Sequence, residues 1–455
     1  MARSGPDCPG HRTCRVGDGL HFGTDPGGTG VMTAAIYRCA ILHCRNRQTV
    51  EFFSDGGLVV EGGRIRACDD FACIEPLFHG LPVVDWRGSV LIPGLVDTHA
   101  HLPQLSAIGA ERADLLDWLQ QVIFPLEARF RDTALAERIA EAFFRHALAS
   151  GTTLVAVYGP PYEEATDACF RVAAQFGIRA VMGMTLMDSN APAELLSEPS
   201  ALIAACKRLI NRWHGANEGR LFYALTPRFA GSCSRELLKQ CGQLAAECPV
   251  HVQTHLAESP GELAWIASLF PEHPNYTSIY DRAGLLTERT ILAHCIYLEP
   301  TELARIQEQG SAIAHCPASN IYLRSGIMPL SDYLKLPVKI GLGTDIGAGY
   351  HTSILDEARY AREVAKVRQM IHRSGSVPSL AEAFYLATLG GAEALGFADV
   401  LGNFSEGKEA DFVRIAIEPY RTIDTAEHAL EYVLYAGTQN VTATVIAGVE
   451  VWQSQ

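Results

Sequence analysis

The sequence predicts an α/β chain built on a TIM (β/α)8 barrel, with a small β-sandwich domain contributed by both chain termini. Three observations carry this expectation. Short apolar strands alternate with helical stretches between residues 91 and 400, the pattern of a parallel α/β domain. Residues able to ligate a metal recur where those strands end, the face on which TIM barrels place their active sites. Strand patterns without intervening long helices occupy both ends of the chain.

Taken in order, residues 1–31 are rich in Gly, Pro and polar residues without hydrophobic periodicity. They are expected to be disordered or a non-native extension, with the folded chain beginning near Met32. Strand patterns follow at 36–44, 57–60 and 64–68, the last two joined by a Glu61-Gly62-Gly63 turn. The apolar run Gly88-Ser89-Val90-Leu91-Ile92 is expected to be the strand leading into the barrel. Further barrel strands are expected at 153–158, 179–186, 220–226, 250–255, 290–294, 312–315 and 338–344, which with that run makes eight. Residues 134–148 and 201–213 carry apolar side chains at helical spacing. A helix ends near Leu395-Gly396, strand character returns over 407–413, and 441–445 and 449–452 flank an Ala447-Gly448 turn as a closing hairpin. The implied organisation is a β-sandwich from 32–90 and 401–455 beside a hydrolase barrel at 91–400, with a doubly wound sheet as the alternative that pattern alone leaves open.

Bulk properties narrow the function. A net charge of −14 argues against nucleic-acid binding, which needs basic surface to displace counterions, and points to a small-molecule substrate. The 13 cysteines form no C-x-x-C pair and no compact disulfide spacing, which favours a reducing compartment. No apolar run approaches the roughly 18–20 residues of a membrane span, and the N-terminus lacks signal-peptide order. A cytoplasmic protein without membrane contact is expected.

The chemistry resides at the strand ends. In Pro93-Gly94-Leu95-Val96-Asp97-Thr98-His99-Ala100-His101, two histidines two residues apart on an extended segment face the same side. His255 ends the strand at 250–255, His294 the strand at 290–294, and Asp345 follows the strand at 338–344. One histidine at a strand end is an ordinary polar residue; the ordered set H-x-H, His, His, Asp is a metal site with room for water. Such a metal acidifies bound water from about 15.7 towards 7. Asp345 is placed to take the water's proton, Glu258 to act as general acid and base over the pocket, and His294 to orient water or stabilise developing charge. For a planar base, Arg228 offers a forked donor set and Gln104 both donates and accepts, while Phe229 offers a flat face. His315-Cys316-Pro317 reads as a structural turn.

This arrangement resembles the amidohydrolase superfamily, through the Pro93-to-His101 motif and Gly343-Thr344-Asp345. Binuclear members carry a bridging residue, usually a carbamylated lysine, on the third or fourth strand. Residues 179–188 and 220–231 contain no lysine, so the resemblance implies one metal per subunit, zinc with iron as the alternative, on His99, His101, His255 and Asp345. A narrower similarity to the guanine deaminases rests on Leu115-Leu116-Asp117-Trp118-Leu119, Phe124-Pro125-Leu126-Glu127, Thr226-Pro227-Arg228-Phe229, Thr254-His255-Leu256-Ala257-Glu258 and Ala314-His315-Cys316-Pro317 with Ser319-Asn320. It implies hydrolysis of guanine to xanthine and ammonia, a homodimer, and substrate contacts from Gln104, Arg228, Phe229 and Glu258, with His255 and Asp345 on the metal side. Two departures, Leu105 after Gln104 and Tyr158-Gly159-Pro160-Pro161 at the second strand, bear on pocket shape. They leave 8-oxoguanine, isoxanthopterin or another pterin, and s-triazines, as alternative substrates. A non-catalytic scaffold is the remote alternative.

Overall fold

The computed structural model describes residues 34–454, so the stretch 1–31 lies outside the described residues. The strands are β1 (Ala34–Cys44), β2 (Val50–Glu61), β3 (Arg64–Asp70), β4 (Val83–Pro93), β5 (Leu95–His101), β6 (Thr152–Gly159), β7 (Arg179–Leu186), β8 (Leu221–Pro227), β9 (His251–Leu256), β10 (Thr290–His294), β11 (Ala312–His315), β12 (Lys339–Leu342), β13 (Phe412–Ala416), β14 (Val441–Ile446) and β15 (Val449–Gln453). They form two sheets. Strands β5 to β12 lie side by side in chain order in an eight-stranded sheet, and each neighbouring pair runs parallel.

Hydrogen bonds between β5 and the end of β12 with the segment after it close this sheet into a barrel. The Asp345 N–H donates to the His99 carbonyl at 2.8 Å and the His101 N–H to the Ile346 carbonyl at 2.8 Å, while the Thr98 hydroxyl donates to the Leu342 carbonyl at 2.8 Å. Each barrel strand is followed by helical segments, such as Thr133–Ala149 after β5 and Glu163–Phe176 after β6. Continuous burial along β5, β6 and β7 is the signature of strands covered on both faces. Packing inside is tight enough to demand glycine at position 183, where a Cβ would lie 1.8 Å from the Ala224 carbonyl oxygen.

Strands from both ends of the chain share the seven-stranded sheet, ordered β15-β14-β13-β4-β1-β2-β3. Its outer hairpins meet: the Ala410 N–H donates to the Gly63 carbonyl and the Gly448 N–H to the Ala410 carbonyl, both at 2.9 Å. The sheet thereby folds over a core containing Tyr37, Ile41, Leu58, Leu91, Phe412 and Val445. The β14–β15 turn places Ala447 at φ 45° and Gly448 at φ 77°, the left-handed pair that a two-residue hairpin of this twist requires.

Two expectations are corrected. The run 88–92 is not the first barrel strand but the end of β4, paired with β1 and β13 in the other sheet. The first barrel strand is β5, which carries both histidines itself. An apolar run signals burial without saying which sheet buries it; here Gly94 separates the two strands, and a Cβ there would meet the Thr153 side chain at 2.1 Å. The strand expected over 407–413 likewise begins only at Phe412, because the residues before it turn to bond the β2–β3 hairpin. Among the described residues, no helix is long and apolar enough to cross a membrane.

Candidate active site

The barrel brings His99, His101, His255 and Asp345 together at the C-terminal ends of its strands, with one ligand atom from each within 4.8 Å of all the others. His101 Nε2 and His255 Nε2 approach to 3.1 Å, and Asp345 Oδ1 lies 3.1 Å from His99 Nε2 and 3.4 Å from His101 Nε2. A tetrahedral ion with bonds of about 2.0–2.1 Å separates neighbouring donors by about 3.3 Å, so these spacings fit one metal. The donor chemistry fits as well. His99 Nε2 is buried without a hydrogen-bond partner. His255 Nδ1 donates to the Arg228 carbonyl at 2.6 Å; because a carbonyl only accepts, the proton sits on Nδ1 and the Nε2 lone pair faces its neighbours.

Local backbone geometry aims these groups. The β5–β6 register slips between Asp97 and Ala100, so His99 sits in an irregularity of the kind that redirects side chains near sites. Ala257, His294 and Asp345 all adopt positive φ, at 52°, 70° and 48°, a conformation costly for residues with a Cβ and retained where surrounding structure enforces it. Asp97 anchors the turn beneath. Its carboxylate accepts from the Thr344 hydroxyl at 2.6 Å and from the Thr344 and His99 N–H groups, each at 3.1 Å.

Burial disfavours the imidazolium form and pushes the titrations of His99, His101 and His255 down, keeping them neutral as metal ligation requires. Burial alone would raise Asp345, but the facing His99, His294 and His101 hold its carboxyl well below the ordinary range. Glu258 behaves oppositely: burial pushes it up to about 7 against the opposing pull of His294. Two carboxyl groups of one site are thus set to different protonation states, the separation expected of an acid beside an ionised group. His294 Nε2 lies 3.4 Å from Glu258 Oε2 and 3.8 Å from Asp345 Oδ2, and its Nδ1 meets Asn320 Oδ1 at 2.9 Å. Burial lowers His294, yet the charges of Glu258 and Asp345 raise it overall.

Above the quartet is a small pocket. Gln104, Arg228, Phe229, Glu258 and His294 line it, with apolar walls from Leu115, Trp118 and Leu119. Phe229 is buried, and its ring lies 5.8 Å from that of Trp265. Gly231 permits this, since a Cβ there would be 2.4 Å from Phe229. Of the nine residues singled out from the sequence, eight line this cavity and the ninth, His99, lies in the ligand group at its floor. His315 ends β11 without joining the group.

The sequence assigned no role to several supporting residues. Ser325 donates to Glu258 Oε1 at 2.9 Å, and Ser319 donates to Asp345 Oδ2 at 2.6 Å. Glu262 accepts the Glu258 N–H at 2.7 Å and, with Ser259, forms the capping box that starts the helix Pro260–Leu269. The S-x-x-E pattern at Ser259 was the one available hint. Tyr158 packs against His101 and His99, ring centroids 4.4 and 4.9 Å apart.

A barrel with this ligand quartet at its C-terminal mouth defines a metal-dependent hydrolase class, and the chain belongs to the amidohydrolase family, whose model matches residues 90–451. Within that family it is similar to the guanine deaminase of Escherichia coli, 40% identical over 378 residues, or 82% of this chain and 83% of that one. Among solved structures it is similar to guanine deaminase from C. acetobutylicum with guanine bound in the active site, at TM-score 0.87 and 30% identity over 92% of this chain and all of that one. It is also similar to an adenosine deaminase from Xanthomonas campestris with bound zinc, at TM-score 0.80 and 26% identity over 91% of this chain and 92% of that one.

Proposed function

We propose that this chain hydrolyses guanine to xanthine and ammonia, with one zinc ion held by His99, His101, His255 and Asp345. The observation that carries the reading is a buried ligand quartet sharing a single small pocket with Glu258, Arg228 and Gln104. Zinc, when bound, supplies an acidified water and Lewis-acid polarisation near neutral pH.

The chain's own residues perform the rest. Phe229 and the apolar wall hold the planar base, and Arg228 and Gln104 meet its polar edge. Glu258, with its titration near 7, protonates the ring nitrogen next to the carbon that bears the amine, so that carbon accepts the water oxygen more readily. Asp345, ionised in the resting site, accepts the water's proton. His294, held by Asn320, stabilises charge between Glu258 and Asp345. The proton held by Asp345 then passes to the departing amine, which leaves as ammonia, while the now ionised Glu258 takes the remaining hydroxyl proton as the new carbonyl forms, so both carboxyl groups return to their starting states. Burial of these groups excludes bulk water and strengthens each interaction.

The test is direct. Purified, zinc-replete protein incubated with guanine is expected to release one ammonia per xanthine formed. Inactivity on guanine together with turnover of isoxanthopterin overturns the reading. Homodimerisation, supported by the family resemblance alone, is checked by sedimentation.

A further inference from the structure

We propose that Glu127, which stands behind the pocket wall, fixes the hydrogen-bonding polarity of the recognition edge and so selects bases that place an N–H beside a carbonyl. This rests on the reading of the pocket as a guanine site. Glu127 lies on the short helix Phe124–Ala128 and is only 2% exposed. Each carboxylate oxygen holds a different recognition residue: Oε1 accepts from Gln104 Nε2 at 2.9 Å and Oε2 accepts from Arg228 Nη1 at 2.6 Å.

The consequence follows from donor and acceptor inventory. An ionised carboxylate only accepts, so it captures the NH2 end of the Gln104 amide and turns the carbonyl end away. Gln104 Oε1 is buried without a partner, on a residue that lines the pocket. Such an atom is costly unless a ligand donates to it. The Arg228 guanidinium, tethered through Nη1, makes no other side-chain hydrogen bond among the described residues, and its remaining N–H groups are donors only. The edge therefore presents one acceptor beside fixed donors. Guanine carries the matching pair, N1–H next to the C6 carbonyl. A base with an unprotonated nitrogen at that place would set acceptor against acceptor. Glu127 touches no substrate in this scheme; it is a positioning residue.

An isosteric exchange tests this. In Glu127→Gln the introduced amide keeps its carbonyl towards Arg228 and offers NH2 to Gln104, which reverses the Gln104 amide and points a donor into the pocket. Guanine KM is expected to rise, with kcat changed less than about threefold, because the lost contact orients the base and is not made by the reacting atoms. As competitive inhibitors, hypoxanthine carries the N1–H and carbonyl pair and purine lacks it. Wild-type preference for hypoxanthine over purine is expected to fall about 100-fold in Glu127→Gln, since a site built for a hydrogen-bonding group discriminates strongly until its polarity is lost. The double variant Gln104→Glu with Glu127→Gln again presents an acceptor to the base and keeps the local charge, and is expected to restore most of the preference.

Retention of the wild-type inhibitor preference in Glu127→Gln overturns the proposal. So does a double variant that folds and binds metal but lacks the preference, which also decides the matter should the single variant fail to fold. Absence of guanine turnover in metal-replete wild type is a different failure, that of the underlying reading of the site.

Discussion

Replacing Glu258 with glutamine removes a proton site while leaving side-chain volume almost unchanged. In the native site Oε1 accepts from Ser325 at 2.9 Å and Oε2 stands 3.4 Å from His294 Nε2. A glutamine carbonyl preserves the first contact, and its NH2 group takes the place of Oε2. Glu258 is not one of the four residues grouped as metal ligands, so metal content should stay the same. What disappears is proton transfer to the ring nitrogen and from the hydroxyl that becomes the new carbonyl. General acid–base catalysis by one positioned group is worth about 10²–10⁴ in rate, or about 3–5 kcal/mol of barrier. Glu258→Gln should therefore lower kcat by that factor, followed as ammonia release from guanine, while elemental analysis finds metal as in wild type. Turnover within about threefold of wild type would refute the assigned proton transfer. Metal loss would refute the separation drawn between Glu258 and the ligand quartet.

Stripping the metal with a chelator should abolish turnover and lower Tm by about 4 °C, as expected for a ligand present at 1,000 times its Kd on a chain of this size, and zinc should restore both. Ser325→Ala removes the hydrogen bond that favours ionised Glu258; kcat should fall about fivefold for a net loss near 1 kcal/mol, and the Glu258 limb of the pH–rate profile should move to higher pH. Asp411 tests linkage away from the site. Burial raises its titration to about 6, against the bond from the Ala447 N–H at 2.8 Å. A carboxyl raised above its unfolded value favours the protonated fold, so its contribution is complete at low pH and is lost as pH rises from about 4 through 6. The size is on the order of 2–3 kcal/mol. Urea unfolding should show this decline in wild type and a flatter profile in Asp411→Asn; parallel profiles would exclude Asp411 as the cause.

Much of this architecture is written locally. Strands β7, β10 and β11 coincide with apolar runs at 179–186, 290–294 and 312–315, because a strand buried on both faces needs an uninterrupted apolar stretch. The two histidines of β5 were legible for a similar reason: an H-x-H on an extended segment puts two donors on one side whatever surrounds it. Misassignment occurred where two strands abut. The β4 run ends at Pro93 and β5 begins at Leu95, and periodicity cannot tell which sheet each joins. Asp345 was recognisable as the residue after a strand and as the end of Gly343-Thr344-Asp345; its positive φ and its bond to the His99 carbonyl arise from barrel closure.

The sequence by itself therefore determined a parallel α/β chain, the positions of most of its strands and the chemical types available at their ends, since these depend on hydrophobic period and on rules spanning a few residues; closure into a barrel was left to the tertiary structure. Tertiary structure alone decided that His99, His101, His255 and Asp345 lie within 4.8 Å of one another. It also decided that Ser325 supports Glu258 from 67 positions away. The same holds for Glu127, which bridges Gln104 and Arg228 across separations of 23 and 101 residues. Contacts of that range have no local pattern, because they exist only once eight strands have closed and burial has removed water as the competing partner.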